Sequence, residues 1–277
     1  MSAFDDYKKD FQAELGSIIK ERINAVGWTK KKLNEHRQQA LTNMLNHADT
    51  HSKWHHEKLK GIDLNSISPD DLSALATMTK EDVQANFDDI STDPKVTKAW
   101  CDGHFKAGNF YTDGSYCILA SGGSSGHRAM QVYKPKAAAE FAAQILRMSQ
   151  RLAMHQGMER AHKPLVFIAA APGAAHATSV IPPLLPGFTS EHAMAVTEPM
   201  VEIAAKLNKL QPKALTIYSS YLRHLIQAQE DGLLNISPES ISLTSETPSP
   251  VDIAAPKKFG LVLLLQTGVR LSLALLA

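Results

Sequence analysis

The residues whose types and spacing most plainly offer chemistry are Ser121-Gly122-Gly123-Ser124-Ser125-Gly126-His127-Arg128. Gly122, Gly123 and Gly126 carry no Cβ, so successive backbone N–H groups there are free to turn toward one anion. Ser121, Ser124 and Ser125 add hydroxyl donors, and the Arg128 guanidinium offers a fixed fork of N–H groups suited to a phosphate. Together they read as a phosphate cradle. It is not a Walker A loop, which needs a Lys after its last glycine and a helix opening there, and it lacks the Rossmann GxGxxG spacing. The alternative, a flexible Ser/Gly linker, fits poorly because apolar runs flank the segment on both sides without polar padding.

A second constellation is His47, His51 and His55, spaced i, i+4 and i+8. On one continuous helix that spacing would align three imidazoles, enough to hold a metal ion. The plainer reading, a solvated histidine-bearing face, is favoured because only Asp49 and Glu57 are at hand to complete a shell, and no metal site is assigned. The two cysteines, Cys101 and Cys117, form neither a CxxC pair nor a disulfide framework, which fits a reduced, cytoplasmic setting.

Positioning these groups requires an α/β scaffold. Residues 4 to 26 place Phe4, Tyr7, Phe11, Leu15, Ile18, Ile19 and Ile23 at helical steps, stopping near Gly27. A second helix is predicted from Thr29 to before Gly61, with Leu33, Ala40, Leu41, Met44, Leu45 and Ala48 as its buried stripe. Ser68-Pro69-Asp70-Asp71 and Thr79-Lys80-Glu81-Asp82 both read as helix starts. Strand, loop and strand are predicted from Tyr116 to Tyr133, followed by a helix over 136–156. Strands at 165–171, 193–196, 214–218 and 241–244 then alternate with helices at 199–208 and 220–230, the pattern of a mainly parallel sheet with covering helices. Ligands of such sheets sit beyond the strands' carboxyl ends.

The loop and several shorter segments resemble adenylate-forming enzymes, the acyl-CoA synthetase superfamily, and within it the phenylacetate-CoA ligase-like branch. Ser121 to Arg128 is similar to that branch's Ser/Thr/Gly-rich phosphate loop, with Gly123 and His127 as departures. His47-Ala48-Asp49-Thr50-His51-Ser52, the Leu72, Leu75, Thr79-Lys80, Asp82 pattern, Gln211-Pro212, Tyr218-Ser219-Ser220-Tyr221-Leu222 and Ile236-Ser237-Pro238 match further family segments. Ser245-Glu246-Thr247-Pro248 stands where the family has Gly-Glu-Pro-Leu near the adenosine. The resemblance implies a helical N-terminal region over 1–95 and a nucleotide-binding α/β region over 96–258, as in an incomplete adenylate-forming N-terminal domain. Against that resemblance, residues 259–277 are expected to form an apolar tail without the family's Tyr-Gly-x-Thr-Glu motif, and the chain is expected to lack the C-terminal lid domain with its Lys.

On that resemblance the expected activity is ATP-dependent acid-thiol ligation through an acyl-adenylate, with ATP and Mg2+ and with coenzyme A as acceptor. The phosphates would rest on Ser121, Gly122, Gly123, Ser124, Ser125, Gly126 and Arg128, with Glu246 by the nucleotide. Pro172, Gly173, Tyr218, Ser219 and Tyr221 are assigned to the pocket of a small carboxylic acid, and no catalytic residue is assigned. Two alternatives stand beside a truncated, impaired ligase: an inactive nucleotide-binding remnant, and a subunit completed by a separate C-terminal half, with a homodimer among its possible assemblies. Twenty-nine basic against 28 acidic side chains argue for neither nucleic acid nor a membrane surface as partner. Arg270 and Gln266 in the Leu-rich tail weigh against a membrane span.

Overall fold

The computed structural model describes residues 2–112, 114–120, 129–155, 165–169, 177–244, 246 and 262–265. The chain divides into two compact units, one running from the N-terminus to Arg147 and the other beginning at Met148.

The first unit opens with α1 (Ala3–Asn24), started by a reciprocal capping box in which Ser2 and Asp5 satisfy each other's backbone N–H. Its apolar stripe buries Tyr7, Phe11 and Leu15, and a 3-10 turn over Ala25–Gly27 ends it. The next helical stretch is not continuous. It forms α2 (Lys30–His51) and α3 (Lys53–Leu59), broken at Ser52. Ser52 leaves helical geometry at φ −117° and ψ 119°; its hydroxyl accepts from the His55 amide and donates to the Asp89 carbonyl. A serine able to cap a new helix competes with continuation of the old one. Leu41, Leu45 and Ala48 are buried as expected, whereas Leu33 and Ala40 are exposed.

No helix starts at Ser68. The Ser68 hydroxyl accepts from the Asp70 amide, the Asp71 carboxylate accepts from the Ser73 amide, and Arg37 takes Asp70 and the Pro69 carbonyl. These local bonds satisfy the backbone as turns, the usual alternative for Ser and Asp. Thr79 does start a helix, α4 (Lys80–Ala85), with the Thr79 and Asp82 side chains capping reciprocally. Then follow α5 (Phe87–Ile90) and α6 (Lys98–Lys106).

Three antiparallel strands complete this unit: β1 (Tyr111–Thr112), β2 (Tyr116–Ala120) and β3 (Met130–Tyr133). Every residue of β2 is buried. Helix α7 (Pro135–His155) follows. The Tyr7 hydroxyl donates to the Tyr133 carbonyl at 2.9 Å, and the Arg22 guanidinium grips both oxygens of Glu140 at 2.8 and 2.9 Å. These bonds tie α1 to β3 and α7.

The second unit is a five-stranded sheet whose pairings are all parallel. Its strands are β4 (Leu165–Ala169), β5 (Ala193–Ala195), β6 (Ala214–Tyr218), β7 (Ser240–Thr244) and β8 (Val262–Leu265), in the spatial order β5-β4-β6-β7-β8. Among the described residues, parallel pairing is therefore confined to this unit. The connections carry α8 (Ala177–Val180), α9 (Met200–Leu210) and α10 (Leu222–Glu230). One core unites Val166 and Ile168 of β4 with Leu215 and Ile217 of β6, Ile203 and Leu207 of α9, and Leu222 and Leu225 of α10. Among the described residues, no helix is long and apolar enough to cross a membrane.

Candidate functional site

The strand order fixes where a ligand crevice falls. From β4 the chain moves to one side to make β5, and from β6 it moves to the other to make β7 and β8. Between β4 and β6 the connections diverge, and it is at such a point, beyond the carboxyl ends of the strands, that parallel sheets generally receive ligands. Strand β4 leads toward Pro172 and Gly173, which lie outside the described residues. Strand β6 ends in Tyr218 and passes into a 3-10 turn, Ser219–Tyr221, which continues as α10.

Tyr218 is the register partner of Thr244, so the exits of β6 and β7 run side by side. That brings Glu246 onto the turn. The buried Ser219 hydroxyl donates to the Glu246 carbonyl at 3.0 Å, and the Ser220 amide donates to the Glu246 carboxylate at 2.7 Å. A carboxylate at the first amides of a helix is favoured by the helix dipole, by roughly 0.3–1 kcal/mol for an exposed group. The structure thus joins Ser219 and Glu246, assigned separately to acid pocket and nucleotide, in one hydrogen-bonded corner.

Tyr221 is 9 % exposed, and its ring lies 5.5 Å from that of His224. Burial, and secondarily the charge of Glu198, push its phenol upward, so it stays a hydrogen-bond donor at neutral pH. Glu198 follows β5; its carboxylate accepts from the Ala195 amide at 2.7 Å and pairs with Lys206. Burial works to raise its pKa, but the Lys206 ammonium and the Ala195 N–H outweigh it and hold the carboxyl below the ordinary range. Sequence reasoning passed over Glu198. Its signal was an acid between a strand end and Pro199, at the mouth of a helix.

The Ser/Gly segment belongs to the first unit. Strands β2 and β3 flank it, closing on the pair Ala120 and Met130, and residues 121–128 themselves lie outside the described residues. Below it, β3 is held by the cluster of Val96, Cys101 and Tyr116 with Trp100, Met130 and Val132. The Tyr116 hydroxyl donates to Asp93, which also pairs with Lys134 at 2.8 Å.

The three histidines do not share a face. His47 and His51 lie with ring centroids 4.5 Å apart, tilted to one another, but the break at Ser52 takes His55 out of register, against the Trp54 ring. Among the described residues, no three metal-ligating side chains converge.

No protein-family model and no curated protein matches the sequence. Solved structures do. The chain is similar to 2-hydroxyisobutyryl-CoA ligase in an open conformation with 2-HIB-AMP and CoA, at 15 % identity and a TM-score of 0.56, over 86 % of this chain and 54 % of that one. The same ligase in its thioesterification state, again with 2-HIB-AMP and CoA, gives 15 % identity and a TM-score of 0.57, over 86 % and 49 %. At that identity the likeness is one of fold, and this chain spans about half the length of those structures.

Proposed function

We propose that this chain carries the acid- and nucleotide-binding part of an ATP-dependent acid-thiol ligase. What supports this reading is the fold shared with a CoA ligase solved with 2-HIB-AMP and CoA, together with the divergence of connections between β4 and β6, with Tyr218 ending β6, Ser219 and Tyr221 following it and Glu246 following β7. In this reading a carboxylate oxygen attacks the α-phosphorus of ATP, pyrophosphate leaves, and an acyl-adenylate forms. A thiol, with coenzyme A as the expected one, then attacks the acyl carbon and AMP leaves.

The chain's part in the first step is positioning and charge neutralisation. Amides and hydroxyls of Ser121, Gly122, Gly123, Ser124, Ser125 and Gly126 hold phosphate oxygens, and Arg128 meets their charge. Pro172, Gly173, Tyr218 and Tyr221 line the acid pocket, with the protonated Tyr221 phenol available as a donor. Glu246 braces the corner through Ser219 and Ser220 and faces the nucleotide. One oxygen of its carboxylate accepts from the Ser220 amide, and no step is assigned to the magnesium ion that the family resemblance implies.

ATP–pyrophosphate exchange by the purified chain, across aryl and alkyl carboxylic acids, tests the proposal. Exchange with at least one acid, falling by about a hundredfold in Arg128→Ala and Gly126→Ala, is the expected result. A second reading is a nucleotide-binding unit without turnover of its own. ATP binding without exchange would select it. Absence of ATP binding would overturn both.

A further inference from the structure

We infer that His47 and His51, at the end of α2, form a two-imidazole chelate for a borderline first-row divalent cation such as copper(II), nickel or zinc. Four residues apart on a helix, the two side chains lie one turn above the other, and their rings sit 4.5 Å apart at an interplanar angle of 46°. Both residues are exposed, so a hydrated cation can reach them and keep solvent in its remaining positions. The helix beneath is anchored, because Leu41, Leu45 and Ala48 bury its other face. At about 100° per residue the histidines stand roughly a quarter turn away from that stripe.

Nothing else claims the two rings. Among the described residues, no hydrogen bond or ion pair engages either imidazole, and the acid between them in sequence, Asp49, pairs with His56 instead at 3.1 Å. The Lys134 ammonium is close enough to act electrostatically on His47. Lys134 would repel a cation, but its charge is met by Asp93 at 2.8 Å. The carboxyl end of a helix is the negative pole of its dipole, and His51 is the last residue of α2. Two nitrogen ligands and no carboxylate select imidazole-preferring metals over magnesium or calcium, with copper(II) bound more tightly than nickel or zinc.

Titration of the full chain with copper(II) alone, followed by calorimetry and by the nitrogen-coupled paramagnetic resonance spectrum, tests the assignment. The expected result is a saturable site bearing two nitrogens that disappears in His47→Ala and in His51→Ala and persists in His55→Ala and His56→Ala. All four side chains lie outside the buried core, and circular dichroism checks that each variant folds. Retention of the site in either of the first two variants, its loss in either of the last two, or its absence from the unaltered chain overturns the inference.

Discussion

Gly114 shows how one hydrogen in place of a methyl group can hold an element in position. It sits at φ +67°, where L side chains are strained, and an added Cβ would come within 2.9 Å of Asp6 Cβ on α1. Gly114→Ala therefore meets two costs together, and denaturant unfolding is expected to show a loss of about 2–3 kcal/mol. Gln211 takes the opposite course. At φ +44° it is the only described non-glycine in the left-handed region, and its side-chain amide donates to the Asn208 and Asn235 carbonyls. Gln211→Ala keeps the strain and loses both bonds, with an expected loss of about 1–2 kcal/mol by the same measurement. Neither position was legible as special in the sequence. A glycine announces conformational freedom without saying what approaches it, and a glutamine at a helix end announces nothing. Thr79 and Asp82, by contrast, were legible, because a capping box is a local bargain between residues three apart.

Elements are held to one another by a few polar ties over apolar contact. Asp93 links the Tyr116 hydroxyl on β2 to Lys134, just after β3. The Lys134 hydrogen bond, against a smaller opposing effect of burial, holds the Asp93 carboxyl below its ordinary value, and the same pair holds the Lys134 ammonium above its own. A depressed carboxyl pKa gives stability that is present above the unfolded value of about 3.9 and is lost as pH falls through the folded value. For Lys134, the contribution is complete below about 10.4 and fades as pH rises through its raised folded pKa. Unfolding followed across acid pH should show Asp93→Asn with a shallower loss of stability below about pH 4 than the unaltered chain. Helix and strand identity was largely legible because periodicity is carried by adjacent residues. The Ser52 break was not, since it depends on the Asp89 carbonyl, which only the fold brings near. For the candidate site, Tyr218, Ser219 and Tyr221 could be found from their place at a strand's carboxyl end. The union of Ser219 with Glu246 could not, because it needs the register of β6 against β7.

At the scale of the molecule, the two units carry separate cores and unequal optical reporters. Trp28, Trp54 and Trp100, the three tryptophans of the chain, all lie in the first unit, whereas Ile217 is fully buried in the second. Ile217→Ala should cost about 2–5 kcal/mol in that second core. Its far-ultraviolet circular dichroism transition is expected to fall further in temperature than its tryptophan fluorescence transition, the mark of unfolding that is not all-or-none. The order β5-β4-β6-β7-β8 also bears on how the chain is made. Strands β2 and β3 can pair almost as soon as both have been synthesised, with Ala120 meeting Met130. The central strand β4 meets its partners only after longer crossovers: Ala169 pairs with Ala195 of β5, and Leu165 with Ala214 of β6. During synthesis on a ribosome, the edge of β4 that meets β6 is therefore expected to wait with unpaired amides and carbonyls until α9 and β6 have followed it. The loop-closure entropy of each crossover must be met before any parallel pairing rewards it. The slow, aggregation-exposed interval is thus expected between β4 and β6, with the parallel sheet maturing after the β2–β3 pair.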